Sequence, residues 1–306
     1  MPALKVDPEW QENFALLSSA TIPKFTDALE LRKCIESGIH ARFHDMPRLE
    51  GFKETKHEIT SVDGTKINVY RLVPPSAPTD SITQRAIVYV FGGGMISGRV
   101  DLYYPLIESL ADTSCTQVFA VDYRLGIDRP FPAAVEDVYS AIVWLQANAR
   151  TFDVDPARIA VCGLSAGGGV AAGVLMSPML DDRTTIPEDH PLTPHLTWTT
   201  EFSDLGWKTY LGGKEKVDRT DANVSIYAAP ARAKDVSGLP ATFINVGSLD
   251  LFRDEDIAYA ARLAAANVDV EFHLYLGFPH GLEIAGQDTR QAGVMRDNRD
   301  RFLSRI

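Results

Sequence analysis

The chain has 306 residues, of which 45% are hydrophobic and 23% are charged, and its formal net charge is -11. This composition is typical of a globular protein with enough apolar side chains for a large core. The acidic balance argues against nucleic acid or an anionic membrane surface as the main partner. The N-terminal MPALKVDPEW has no apolar signal region, and no stretch approaches the length of a membrane span, so we expect a cytoplasmic protein.

The first half of the chain changes from helical patterns to alternating strands and helices. Residues 1–45 space their apolar side chains as two short helices would, and HEITSVDGTKINVYRLVPP (57–75) predicts two strands joined by a turn at VDGT. Next come strands and helices in turn, and each helix separates two apolar runs. The predicted strands are 85–91, 116–125 and 158–163, and the predicted helices are 102–114 and 132–150.

The second half contains one stretch that breaks this alternation. Residues 183–235 are rich in Pro, Thr, Asp and Trp, with a short helical piece at SDLGWKTYLGG, and we interpret them as an insertion over the sheet edge. With the N-terminal helices this insertion could form a lid, and the alternative is a surface connection without a role. The remaining predicted elements are strands 241–250 and 270–277, a helix between them, and a last helix at 287–305.

The pattern as a whole predicts one α/β domain over residues 1–306. Near-continuous apolar strands that alternate with helices are typical of a mainly parallel central sheet with helices on both faces. The three cysteines, Cys34, Cys115 and Cys162, have no CxxC spacing, so we expect neither a disulfide framework nor a metal site. Cys162 lies in an apolar run, which predicts a buried packing role.

Three polar residues follow predicted strands in the order Ser165, Asp250 and His280. Ligands bind at the carboxyl ends of the strands in such sheets, so we expect the three side chains to converge. A serine hydroxyl needs an imidazole to accept its proton and a carboxylate to orient that imidazole. Ser165 lies in GLSAG, where Gly163 and Gly167 permit the tight turn that exposes a nucleophile.

Each of these residues also has an ordinary interpretation. A lone GxSxG occurs by chance, Asp250 could cap the helix that follows it, and PHG around His280 is a common turn. The joint pattern favours chemistry, because all three fall at strand ends in one order. The other histidines fit less well, since His273 lies within a strand and both His190 and His195 lie in the insertion.

Glycines after the first strand of the alternation predict an oxyanion-binding loop. FGGGMISG (91–98) exposes backbone N–H groups, which an acyl-transfer site needs for the developing negative charge. A flexible turn would need only one or two glycines. A dinucleotide fingerprint is excluded, because GGGMISG does not match GxGxxG.

These motifs together resemble those of the hormone-sensitive-lipase-like carboxylesterases, a group of α/β hydrolases. The resemblance extends from about residue 5 to the C-terminus. It rests on separated motifs: GGG at 92–94, VDYRL with PFPAAVEDVYSAIVWL at 121–145, GLSAGGG at 163–169, SPMLDDR at 177–183, GSLDLFRDE at 247–255 and PHG at 279–281.

The resemblance implies a role for each candidate residue and no metal or cofactor. Ser165 is implied as the nucleophile, Asp250 as the triad acid and His280 as the general base. The implied oxyanion donors are the backbone N–H groups of Gly93, Gly94 and Ala166. A helical cap is implied over the acyl pocket from about residues 1–50 and 185–235, with Trp198, Trp207 and Tyr210 either lining that pocket or packing in the core.

This chain departs from the family pattern at four places. Phe91 stands where a histidine usually precedes the glycines, Leu164 stands where an acidic residue usually precedes the serine, and GID follows YRL. The fourth departure is a short connection after Ser165. VAAG runs directly into VLMSPML, although a βαβ crossover usually takes at least ~10 residues. Either the crossover helix is truncated or the next strand is displaced, and we interpret the difference as a segment that relatives have and this chain lacks.

The sequence therefore predicts a serine carboxylic-ester hydrolase acting on short- to medium-chain acyl esters. One alternative is a ligand-binding pseudoenzyme on the same fold, which Phe91 and the short crossover favour. Another is a lactone hydrolase or acyl transferase of a biosynthetic pathway with the same triad. The expected partner is a small-molecule ester, and a homodimer is left open.

Overall fold

A computed structural model describes residues 4–19, 23–78, 84–285 and 288–306. Eight strands lie within these ranges: β1 Lys53–Thr60, β2 Lys66–Val73, β3 Gln84–Val90, β4 Gln117–Asp122, β5 Val154–Leu164, β6 Gly173–Met176, β7 Thr242–Gly247 and β8 Val270–Tyr275. The α-helices of the described residues are α1 Gln11–Ser19, α2 Ala28–Phe43, α3 Tyr104–Thr113, α4 Ala133–Ala147, α5 Ala166–Val170, α6 Thr200–Tyr210, α7 Arg253–Ala265, α8 Leu282–Ala285 and α9 Arg290–Leu303.

The strands form one sheet in the order β1-β2-β4-β3-β5-β6-β7-β8. β1 pairs antiparallel with β2 and β2 with β4, while all pairs from β4 to β8 are parallel. The predicted mainly parallel sheet is therefore confirmed. Its inner strands are buried along nearly their whole length, because helices cover both faces and leave no side for polar residues.

The crossover after Ser165 is the feature that the sequence left undecided. α5 has only five residues, yet β6 still pairs in parallel with both β5 and β7. The helix is truncated and the strand keeps its place in the sheet. Gly173 makes this connection feasible, since its φ of 134° lies outside the range that other residues adopt readily.

A buried ion pair connects the beginning and the end of the insertion after β6. Arg232 contacts both carboxylate oxygens of Asp182, at 2.6 and 2.9 Å, and the two side chains are 2% and 0% exposed. Arg219 donates to the backbone carbonyl of Asp182 as well. These contacts tie residues further along this irregular segment to its beginning, shortly after β6 ends.

Several predicted strands extend past the residues at which the observed strands end. The strand predicted at 116–125 ends at Asp122, and the strand predicted at 241–250 ends at Gly247, so Asp250 lies in the turn beyond it. The predicted start of the last helix at residue 287 lies outside the described residues. Within the described ranges, no helix is both long and apolar enough to cross a bilayer.

Candidate active site

Ser165 occupies a strained turn between β5 and α5. Its φ of 53° and ψ of -118° are unusual for a residue with a side chain, and such a turn lifts the hydroxyl clear of the backbone. The N–H of Ser165 donates to the carbonyl of Met176 at 2.8 Å, and its own carbonyl accepts from Gly168 at 2.8 Å. The glycines are required here, because a Cβ on Gly163 or Gly167 would overlap neighbouring backbone.

The three predicted side chains meet in a hydrogen-bonded row. Ser165 Oγ lies 2.9 Å from His280 Nε2, and His280 Nδ1 lies 2.7 Å from Asp250 Oδ2. Asp250 is fully buried, and its other carboxylate oxygen accepts from the Phe252 N–H at 2.9 Å. The turn after β7 thus fixes the carboxylate and the loop after β8 positions the imidazole. The strained turn between β5 and α5, the nucleophile elbow, positions the hydroxyl.

The row determines which ring nitrogen of His280 carries the proton. An ionised carboxylate only accepts, so Nδ1 donates to Asp250 and Nε2 keeps a lone pair for the Ser165 hydroxyl. Burial by itself would lower the pKa of His280, but the carboxylates of Asp250 and Glu283 outweigh burial and hold that pKa above its ordinary value. The surroundings therefore favour the imidazolium that forms when His280 accepts a proton.

The glycine loop lies directly beside the nucleophile. A Cβ on Gly92 would approach Ser165 Cβ to 3.1 Å, which places this backbone against the elbow. Gly93 and Gly94 have φ values of 120° and 63°, and a Cβ on Gly94 would overlap the ring of Trp198. Ala166 begins α5 immediately after the serine. Gly93 and Gly94 thus directly follow the glycine that contacts Ser165, and the role of the three N–H groups as oxyanion donors stays a prediction.

Aromatic stacking supports this loop at the position where Phe91 stands. The ring of Phe91 stacks on Tyr123 with centroids 4.3 Å apart, and Tyr103 lies on a second side at 5.7 Å. The Tyr123 hydroxyl donates to the Phe91 carbonyl at 2.9 Å. The start of the glycine loop is packed by aromatic rings, so a histidine at position 91 is not needed for packing.

One short stretch of the insertion contacts the site. The Thr197 hydroxyl donates to the His280 carbonyl at 2.7 Å, and the Trp198 ring lies 6.2 Å from the imidazole. Trp207 and Tyr210 on α6 are buried in the same core cluster as Trp198, with their ring centroids 6.1 Å apart. Trp198 is the predicted aromatic whose ring lies beside both His280 and Gly94.

Two acidic residues near the triad were not singled out from the sequence. Glu283 lies three residues after His280 and is partly buried, and Asp256 lies six residues after Asp250 and is fully buried. The short separation of Glu283 from His280 along the chain could have identified Glu283 from the sequence. Asp256 resembles an ordinary helical surface residue in sequence.

Among the described residues, no group of three or more His, Cys, Asp or Glu side chains has the arrangement of a metal site.

A nucleophile elbow on a mainly parallel sheet, with acid and base following in that order, defines the α/β-hydrolase class. A family model described as alpha/beta hydrolase fold matches residues 87–284, and the chain belongs to this family. The match covers β3 to α8 and includes every residue of the hydrogen-bonded row. The expected fold and the family resemblance are thereby confirmed.

Individual relatives are similar over most of the chain. The esterase LipI of Mycobacterium tuberculosis is 31% identical, with 84% of this chain and 85% of LipI covered. The carboxylesterase NlhH of the same species is 34% identical over a shorter stretch, covering 64% of this chain and 65% of NlhH. Among solved structures, a bacterial heroin esterase is 30% identical with a TM-score of 0.85, covering 98% of each chain.

Proposed function

We propose that this chain is a serine carboxylic-ester hydrolase with a preference for short- to medium-chain acyl esters. The observation that carries the proposal is the continuous row from Ser165 through His280 to Asp250, with contacts of 2.9 and 2.7 Å. The esterase names of LipI, NlhH and the heroin esterase support the same reaction class. No cofactor or metal takes part in the proposed reaction.

The geometry supplies each proton transfer of the reaction. His280 Nε2 accepts the hydroxyl proton of Ser165 as Oγ attacks the ester carbonyl, and Asp250 stabilises the resulting imidazolium. The negative charge on the former carbonyl oxygen is placed against the N–H groups of Gly93, Gly94 and Ala166. His280 then protonates the leaving alcohol, and a water molecule, deprotonated by the same nitrogen, releases the acid from Ser165.

The preference for shorter acyl groups rests on how the site is covered. Ser165 is only 5% exposed, and Trp198 packs on Gly94 at the oxyanion loop. A bulky ring beside the reacting carbonyl leaves less room for a long chain than an open groove would. The pseudoenzyme alternative loses support, because the complete hydrogen-bonded row is what acyl transfer requires and ligand binding alone does not.

A chain-length series tests the proposal. Purified protein is assayed with p-nitrophenyl acetate, butyrate, octanoate and palmitate, alongside Ser165→Ala. We expect kcat/KM to be highest for acetate or butyrate, and the Ser165→Ala variant to fall to the background rate. Equal inactivity of folded wild type and variant on every ester would contradict the proposal, and a maximum at palmitate would contradict the chain-length part.

A further inference from the structure

Behind the triad, two buried polar side chains bind one carboxylate oxygen. Asn245 Nδ2 donates to Glu283 Oε1 at 2.9 Å, and the Ser177 hydroxyl lies 3.4 Å from the same oxygen. None of these three residues has a role in the proposed reaction. Their arrangement requires an explanation, because burying a carboxylate is costly unless its hydrogen bonds and neighbouring charges favour it.

Two of the three residues belong to segments that carry a triad member, and the third lies beside a residue that binds the backbone of the nucleophile. Ser177 directly follows Met176, whose carbonyl accepts the N–H of Ser165 at 2.8 Å. Asn245 lies in β7, the strand that leads into the Asp250 turn. Glu283 follows His280 by three residues at the start of α8. One carboxylate oxygen therefore connects the nucleophile, acid and base segments.

The second line of evidence is charge. Glu283 is close enough to the imidazole to raise the pKa of His280, together with Asp250. Burial, together with the charge of Asp250, raises the pKa of Glu283 above its ordinary value, although its backbone and Asn245 hydrogen bonds and the charge of His280 act in the opposite direction. A positive charge on His280, as in the imidazolium, therefore favours the ionised carboxylate.

Asp256 provides a contrast inside the same acidic cluster. Neither of its carboxylate oxygens has a hydrogen-bond partner among the described residues, and burial with the nearby carboxylates raises its pKa well above the ordinary value. These surroundings therefore favour the neutral acid form of Asp256. The other titratable groups that act on or line the space beside Glu283 come from several elements: Tyr89 on β3, Asp250 after β7, Tyr275 on β8, and Arg296 and Arg299 on α9.

We infer that Glu283 is a positioning residue of the hydrolytic site, a second carboxylate that fixes the His280 loop and stabilises the imidazolium. This inference rests on the proposed esterase function. Asp250 orients Nδ1 directly, whereas Glu283 acts through its bonds to Asn245 and Ser177 and through its charge. Because the imidazolium forms only during the reaction, Glu283 affects the transition state more than substrate binding.

The test compares pH profiles of Glu283→Gln, Glu283→Asp and the wild type with p-nitrophenyl acetate. Removing a negative charge near an imidazole lowers its pKa, so Glu283→Gln should move the acidic limb of kcat/KM toward lower pH by about half a unit or more. The plateau kcat should fall roughly tenfold, as for other outer-shell partners, with KM nearly unchanged. Glu283→Asp, which keeps the charge, should retain the wild-type limb and recover part of kcat.

Asp256→Asn is the matched control, because it changes a buried acid of the same cluster that is already neutral. Its acidic limb should coincide with that of the wild type. Following the His280 ring signals by NMR gives the same pKa without turnover, so the inference is tested even if no ester is hydrolysed. An unchanged His280 pKa in folded Glu283→Gln, or equal loss of kcat in Glu283→Asp and Glu283→Gln, would overturn the inference.

Discussion

At the scale of single residues, the triad carboxylate has the clearest expected effect. Asp250→Asn keeps the shape of the side chain but presents an amide that no longer favours Nδ1 protonation. His280 would then adopt the wrong tautomer, and kcat should fall by roughly 10⁴-fold. Steady-state kinetics on p-nitrophenyl butyrate measures this, and Asp254→Asn at the exposed start of α7 is the control that should retain wild-type kcat.

The pH profile of the wild type follows from the raised pKa of His280. Only the neutral imidazole accepts the proton of Ser165, so kcat/KM should increase as pH rises through that pKa. Because the nearby carboxylates raise it, the midpoint should lie above the ordinary value of 6.5. A rate that stays constant between about pH 5 and about pH 8 would rule out His280 as the base.

Asp256 is expected to reduce the stability of the native state at neutral pH. Its folded pKa is raised, so folding requires a proton that the unfolded chain, with a pKa near 3.8, has already released. Asp256→Asn removes this requirement, and the free energy of unfolding should therefore increase. The gain should be present at pH 7 and disappear well below pH 3.8, where wild-type Asp256 is protonated in both states. Urea unfolding at both pH values measures it.

At the scale of elements, the short crossover depends on one glycine. Gly173 begins β6 with a φ of 134°, and a Cβ there would lie 3.0 Å from the Val161 carbonyl oxygen. Gly173→Ala should destabilise the protein by about 1–3 kcal/mol, the usual range for backbone strain of this kind. Thermal and urea unfolding report the change.

Gly38 is the matched control for that substitution. It lies within α2, and a Cβ there would have no atom within 4 Å. Gly38→Ala should therefore stabilise by roughly 0.5–1 kcal/mol, since alanine is the better helix former. If both variants behaved alike, the strain assigned to the crossover would be wrong.

The sequence predicted the elements well where periodicity was strong. Apolar runs located β3, β4 and β7, and their order predicted that Ser165, Asp250 and His280 would converge. It left the crossover undecided, because so few residues follow Ser165 that either the helix had to be truncated or the next strand displaced. Which alternative holds depends on pairing of β6 with β7, whose residues lie far apart in the chain.

The buried acids were beyond local sequence patterns for the same physical reason. Glu283 faces Asn245 and Ser177 only after three separate segments have packed together. Trp198 likewise resembled Trp207 and Tyr210 in sequence, and only the folded chain shows that its ring lies beside His280.

At the scale of the whole molecule, the insertion depends on the buried Arg232–Asp182 pair. Arg232→Ala leaves the fully buried Asp182 carboxylate without its main partner and should cost about 3–5 kcal/mol. The control is Arg183→Ala, which breaks an ion pair with Asp181 on a side chain that is 48% exposed. Its expected cost is about 0.2–1 kcal/mol. Comparable losses in urea unfolding would contradict this assignment.

The central claim is that Ser165 is an activated nucleophile, and covalent labelling tests it most directly. The protein is treated with a fluorophosphonate and digested, and mass spectrometry locates the modified residue. We predict one phosphonyl group on the peptide that contains Ser165, with no labelling of Ser165→Ala and slower labelling at a pH below the His280 pKa. An unlabelled Ser165 in folded protein, or equal labelling of the Ser165→Ala variant, would contradict the account.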